Sequence, residues 1–160
     1  MGVIATRELL KKWSQSFRDE GLKIVTTNGC FDVLHVGHIR FIQQCAEQGD
    51  VLIVGINSDE SVKRLKGETR PIFSQDDRAE MLSAIEGVNV VSVFDEDDLP
   101  IEFIKAVKPD IHVKGGDYTP ETMPETPVVE EGGGKVVILP YTDGFSTSKV
   151  MERIYKAWKP

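Results

Sequence analysis

The chain has 160 residues, a formal net charge of −7, 40% hydrophobic residues and 28% charged ones. That length suits one domain with a substantial core. The acidic balance excludes non-specific adhesion to nucleic acid or anionic membrane, and no apolar run approaches the roughly 18 residues of a membrane span.

The N-terminal stretch "MGVIATRELLKKWSQSF" lacks the charged-then-apolar layout of a signal peptide. Cys30 and Cys45 have neither metal-ligand spacing nor a disulfide framework, so a reduced, cytoplasmic protein is expected. Leu9, Leu10, Trp13 and Phe17 recur at helical spacing and Gly21 suits a C-cap, which predicts a helix within residues 1–21. From residue 22 onward short β-branched runs alternate with amphipathic stretches. "KIVTT" (23–27) reads as a strand and "HIRFIQQCAEQG" as a helix. "VLIVGIN" (51–57) is the continuous apolar run of a strand buried on both faces. "SDESVKRLKG" is a short helix, and "SQDDRAEMLSAIEG" opens with a capping-box-like Ser74 and Asp77. Then follow strand "NVVSVF", helix "PIEFIKAV", strand "DIHVKGG", strand "KVVILP" and a closing helix "SKVMERIYKAW". This alternation predicts an α/β fold: a single Rossmann-like domain over 22–160, with a five-stranded parallel sheet and helices on both faces. Ligands in such sheets bind beyond the carboxyl ends of the strands, at the topological switch point. Residues 28–38, 57–67, 114–119 and 141–148 are therefore the loops that matter.

Four constellations stand in or beside those loops. "NGCFDVLHVGH" (28–38) holds two of the chain's three histidines, His35 and His38, with Gly37 giving the backbone room where a helix begins. A helix N-terminus suits an anion, and two imidazoles could donate to phosphoryl oxygens; they could equally be structural. No carboxylate or cysteine stands at ligand spacing, so no protein-held metal is expected. "GFSTSK" (144–149) opens the last helix with Ser146, Thr147 and Ser148, which could cap the helix or bind phosphate. "VKGGDY" (113–118) places Lys114 at a strand end before two glycines and Asp117, and a tight surface turn is the alternative. "KRLKGETRPIFSQDDR" gathers Lys63, Lys66, Arg70 and Arg78, either a solvated face or a collar round a phosphorylated substrate. "EGGGKVV" misses the P-loop pattern and no G-x-G-x-x-G follows the first strand, which disfavours kinases and dinucleotide dehydrogenases.

Taken together, "GCFDVLHVGH" resembles the H-x-G-H signature of the nucleotidylyltransferase superfamily (cytidylyltransferase-like), and "GFSTSK" resembles its second signature. "LKGETRPIFSQDDR" and "VKGGDY" are similar to the ADP-heptose synthase branch, the heptose 1-phosphate adenylyltransferases, over roughly residues 22–155. In many relatives that domain follows a sugar kinase; here it is preceded by one helix. Tyr141 and Asp143 stand where glycerol-phosphate-type cytidylyltransferases carry arginine and glutamate, which weakens a CTP reading.

The resemblance implies transfer of AMP from ATP to a heptose 1-phosphate, releasing pyrophosphate, for lipopolysaccharide core or a related surface glycan. It implies catalytic roles for His35, His38, Lys66 and Arg78, with Lys63 and Arg70 as further candidates for the substrate phosphate. It places the nucleotide at Gly29, Cys30, Phe31, Asp32, Gly37, Lys114, Gly115, Asp117, Thr142, Gly144, Phe145, Ser146, Thr147 and Ser148. Mg2+ would arrive with ATP, a separate heptose kinase would supply the sugar phosphate, and a homodimer is the expected assembly. The competing readings are another sugar- or alcohol-phosphate nucleotidylyltransferase and a non-catalytic nucleotide-binding module.

Overall fold

The computed structural model describes residues 1–96, 99–116, 118–140 and 146–158. The elements run β1 (Val3–Ile4), α1 (Arg7–Asp19), β2 (Ile24–Gly29), α2 (Val36–Ala46), β3 (Val51–Asn57), α3 (Asp59–Lys66), α4 (Gln75–Ser83) and β4 (Val88–Phe94). They continue with α5 (Ile101–Val107), β5 (Ile111–Gly115), a 3-10 turn (Pro120–Thr122), α6 (Thr126–Glu131), β6 (Lys135–Leu139) and α7 (Thr147–Trp158).

All neighbouring strands pair in parallel, in the order β1-β4-β3-β2-β5-β6. The sheet has six strands where the sequence predicts five. The extra one is the two-residue β1, whose Val3 and Ile4 pair with Val90 and Val91 at the edge. Two residues carry no readable period, and the N-terminal 1–21 segment thus contributes an edge strand as well as a helix. α6 was also unpredicted; its "TPVVEE" is short and carries two β-branched valines, which favour strand over helix.

The core splits along the sheet. On one face Leu10 of α1, Phe103, Ile104 and Val107 of α5 and Val129 of α6 pack against Ile24, Ile53 and Val136. On the other, Ile42 and Cys45 of α2 and Ala79 and Leu82 of α4 pack against Val25, Leu52, Val54 and Val113. Every residue of β3 is buried, as a strand covered on both faces requires. Gly55 in that strand leaves room for the stacked rings of Phe94 and Phe103, since a Cβ there would stand 2.9 Å from Phe103.

β2 is the first long strand of the chain, and its successors extend the sheet on both sides: β3 on one, β5 on the other. The switch point therefore lies between the carboxyl ends of β2 and β5. The loop from β2 to α2 and the end of β5 flank it.

Candidate active site

Between Gly29 and Val36 the chain makes a loop with two non-glycine residues in the left-handed region, Phe31 (φ 48°) and Val33 (φ 55°). Each such residue costs on the order of 1–3 kcal/mol and persists only where its surroundings fix it. Here both side chains are buried, and the residue between them, Asp32, is fastened from several directions. Its carboxylate accepts from Arg70 Nε at 2.6 Å, from the Ile72 amide at 2.9 Å and from the Phe73 amide at 3.1 Å. Burial pushes the Asp32 carboxyl up, but those amides and the guanidinium outweigh it and hold the group below the usual carboxylate range. The Asp32 carbonyl accepts from Thr147 Oγ1 at 3.1 Å, which ties the start of α7 to the same loop. The first and last motifs of the sequence are therefore joined by a hydrogen bond spanning 115 residues.

His35 is the N-cap of α2, Gly37 its second residue and His38 its third. The His35 amide donates to His38 Nδ1 at 3.4 Å, so in neutral His38 the proton sits on Nε2, which is left as a donor. The two imidazoles stack with centroids 3.8 Å apart and planes at 16°, and Phe31 meets His38 edge-on at 5.5 Å. Burial, aided by the His35 charge, lowers His38 to a pKa of about 4, and burial lowers His35 as well. At neutral pH both imidazoles are uncharged; the two ring nitrogens of His35 are buried, and His38 keeps Nε2–H as a donor at the helix N-terminus.

The cations divide sharply. Arg78 is fully buried. It donates to the carbonyls of Phe73 (3.1 Å), Cys30 (2.7 Å) and Asn57 (2.9 Å) and pairs with Asp59 at 2.7 Å. These bonds place it beneath the loop, as a brace between β2, β3, α3 and α4. Arg70 commits its Nε to Asp32. Lys63 pairs with Glu60 at 2.6 Å on the exposed side of α3 and raises no barrier to the solvated-face reading. Lys66, the last residue of α3, is exposed and makes no ion pair among the described residues. Its charge nevertheless reaches the site: burial pushes the Cys30 thiol up, and Lys66 is the strongest opposing influence.

Across the switch point, Lys114 of β5 donates to Asn28 Oδ1 of β2 at 3.0 Å and pairs with Glu125 at 2.9 Å. β2 ends at Gly29 and β5 at Gly115, and the Gly116 amide (φ 137°) donates to the Leu139 carbonyl at 3.0 Å. At α7, Ser146 caps the helix by accepting from the Lys149 amide at 3.2 Å, Thr147 holds Asp32, and Ser148 is exposed. Asp117, Thr142, Gly144 and Phe145, which the sequence nominates for the nucleotide, lie outside the described residues, as do Tyr141 and Asp143.

The structure thus brings Gly29 to Asp32, His35, Gly37, His38, Lys66, Lys114, Gly115, Ser146 and Thr147 to one end of the sheet. It places Lys63 on a solvated helix face and Arg78 in the foundation. Sequence reasoning missed Asn28, Asn57, Asp59 and Glu125. Asn28 carried a usable signal, a polar residue in the last turnless position before Gly29. Glu125 carried none: "ETMPETP" reads as plain loop.

Several known proteins are similar to this chain. A family model described as cytidylyltransferase-like matches residues 26–153. The bifunctional protein HldE of Syntrophotalea carbinolica is 48% identical over 151 residues, 94% of this chain and 31% of that protein. The chain spans about a third of the length of the curated relatives it matches. Among solved structures, a lipopolysaccharide core biosynthesis protein from Thermoplasma volcanium is 27% identical with a TM-score of 0.60, over 76% of this chain and 98% of that one. A pantoate-beta-alanine ligase from Francisella tularensis, 16% identical with a TM-score of 0.67 over 98% of this chain and 78% of that one, shares the fold.

Proposed function

The chain belongs to the cytidylyltransferase-like family, and from that premise we propose that it transfers AMP from ATP to a heptose 1-phosphate, giving ADP-heptose and pyrophosphate. The observation that carries this reading is the stacked, neutral His35–His38 pair at the start of α2, tied through Asp32 to the start of α7. Similarity to bifunctional HldE proteins and to the lipopolysaccharide core biosynthesis protein supports the substrate class and a place in surface-glycan assembly.

The chemistry asks little of a base. A sugar phosphate is already anionic at neutral pH, so one of its oxygens can attack the α-phosphorus directly. A P–O bond forms to the sugar phosphate as the α–β bridging P–O bond breaks, and the electron pair leaves with pyrophosphate. The site has to hold the partners in line and meet the charge that accumulates. Nε2–H of His38 is a donor for that charge, the amides at the starts of α2 and α7 add partial positive charge, and Lys66 supplies a full one. A neutral imidazole still carries one N–H donor and brings no charge of its own that would need a counter-ion.

Mg2+ is taken to travel with ATP, where it screens the triphosphate. Asp32, the carboxylate nearest the motif histidines in sequence, has both oxygens engaged by Arg70, Ile72 and Phe73. Phosphate oxygens and water, not this carboxylate, are its expected ligands. A heptose kinase as the source of the sugar phosphate, a homodimeric assembly and a cytoplasmic location belong to the same proposal; no helix among the described residues is long and apolar enough to cross a membrane.

The test is pyrophosphate release with heptose 1-phosphate and Mg2+, run with ATP and with CTP. Release that prefers ATP is expected. Release with CTP alone would move the assignment to the cytidylyl branch, and nucleotide binding without release for any sugar phosphate would make the chain a sensor.

A further inference from the structure

The ion pair on the β5 side of the switch point is unequal. Lys114 keeps 19% of its side chain exposed and Glu125 only 3%. Glu125 Oε1 takes the Lys114 ammonium, while Oε2 is buried and finds no hydrogen-bond partner among the described residues. Asn28 Oδ1 takes a second ammonium hydrogen at 3.0 Å. Behind Lys114 on the same strand, and so on the same sheet face, His112 is fully buried, with Nδ1 2.8 Å from Thr26 Oγ1. Burial and the Lys114 charge drive its pKa down to about 3, so it stays neutral and adds no charge beneath the pair.

A lysine whose task is to neutralise phosphate gains nothing from a buried counter-ion beside it. Glu125 stands 2.9 Å from Lys114 Nζ, so an anion arriving at this lysine meets a net charge near zero. What remains is geometry: an ammonium with two of its three hydrogens fixed, by Asn28 and Glu125, and a third left for a ligand. A buried carboxylate is tolerated only where it is paired, so Glu125 also locks Lys114 in that position.

We propose that Glu125 is a positioning residue that turns Lys114 from a phosphate-binding cation into a fixed hydrogen-bond donor for the uncharged nucleoside part of the nucleotide. The proposal rests on the nucleotide reading above and extends it to a residue outside every sequence motif.

Titration calorimetry of the whole chain with ATP, adenosine and inorganic tripolyphosphate tests it, using the wild type, Lys114→Met and Glu125→Gln. Glu125→Gln keeps shape and an acceptor oxygen, and thermal melts verify that each variant is folded. Lys114→Met should weaken ATP and adenosine about tenfold, the value of one hydrogen bond to a charged group, and leave tripolyphosphate within about twofold. Glu125→Gln should weaken adenosine, tighten tripolyphosphate and steepen its salt dependence, because Lys114 then presents an uncompensated charge. In turnover the same variant should raise KM for ATP more than it lowers kcat. Equal weakening of ATP and tripolyphosphate by Lys114→Met would overturn the proposal, as would three unchanged affinities in Glu125→Gln. A wild-type chain that binds neither ATP nor tripolyphosphate removes the nucleotide reading itself, and this proposal with it.

Discussion

On the side of the crevice built by β2, β3 and α4, Arg78 is wholly buried and hands its donors to three carbonyls and the Asp59 carboxylate. On the side built by β5 and α6, Lys114 has one carboxylate and one amide oxygen and stays partly open. Both cations are paired before any ligand arrives, but Arg78 is closed inside the protein while Lys114 retains a face. Lys66 differs from both, being exposed at the end of α3 and free of ion pairs among the described residues. The contrast separates cations paired inside the protein from Lys66, which has no ion pair among the described residues. It also bears on the proposed role of His38: with the buried charges already matched, an imidazole N–H and helix amides would meet growing negative charge without needing a counter-ion.

Arg78→Ala is the harshest way to break the comparison. Removing one partner of a buried, multiply bonded cation costs about 3–5 kcal/mol, and urea unfolding should register that loss. Arg78→Lys should recover little of it, since one ammonium cannot span four acceptors on three elements. Normal stability with only a raised KM would instead make Arg78 a ligand contact. His38→Ala comes next, with kcat lower by about 100-fold or more, the size of one lost donor to developing charge, in a variant that circular dichroism shows to be folded. Near-normal turnover would sink the donor role. His38 and His112 should make the fold acid-sensitive. His38 is depressed to about 4 and His112 to about 3, so the unfolded chain binds their protons first, near its ordinary value of about 6.5. Stability is then full above about pH 6.5 and falls as the pH drops toward 4. Urea midpoints measured from pH 7.5 to 4.5 check this, and a flat profile would contradict the burial of both rings.

Much of this was legible in the sequence, for identifiable reasons. β3 shows as six apolar or small residues in a row before Asn57, and the Ser74 cap of α4 shows in its spacing to Asp77, whose amide donates to Ser74 Oγ at 3.1 Å. The two histidine positions were readable because Gly37 and the strand-to-helix step surround them. What the sequence hides is pairing across long separations. Lys63, Lys66, Arg70 and Arg78 look alike in one basic run, yet they end in a solvated pair, an open position, a clamp on Asp32 and a buried brace. The fates of Arg70 and Arg78 depend on Cys30, Asp32 and Asn57, residues 21 to 48 positions away along the chain. Glu125 meets Lys114 for a similar reason: it is the N-cap of α6, a helix too short and too β-branched to predict.

The gentlest measurement sharpens the comparison most, because it contrasts two lysines three residues apart on one helix. Lys63 holds Glu60 in an exposed pair separated by three residues, an arrangement that solvent and salt screen heavily. Lys66 sits one turn later at the α3 terminus, where its charge acts on the Cys30 thiol. If proximity to the crevice, and not membership of a basic run, decides function, Lys66→Ala should lower kcat/KM by about tenfold, as for one lost charge-assisted contact. Lys63→Ala should leave kcat/KM within about twofold and shift stability by no more than its surface pair is worth. Equal losses in both variants would mean that the helix acts through its overall field, and the division between site-building and phosphate-facing cations would have to be redrawn around α3 as a whole.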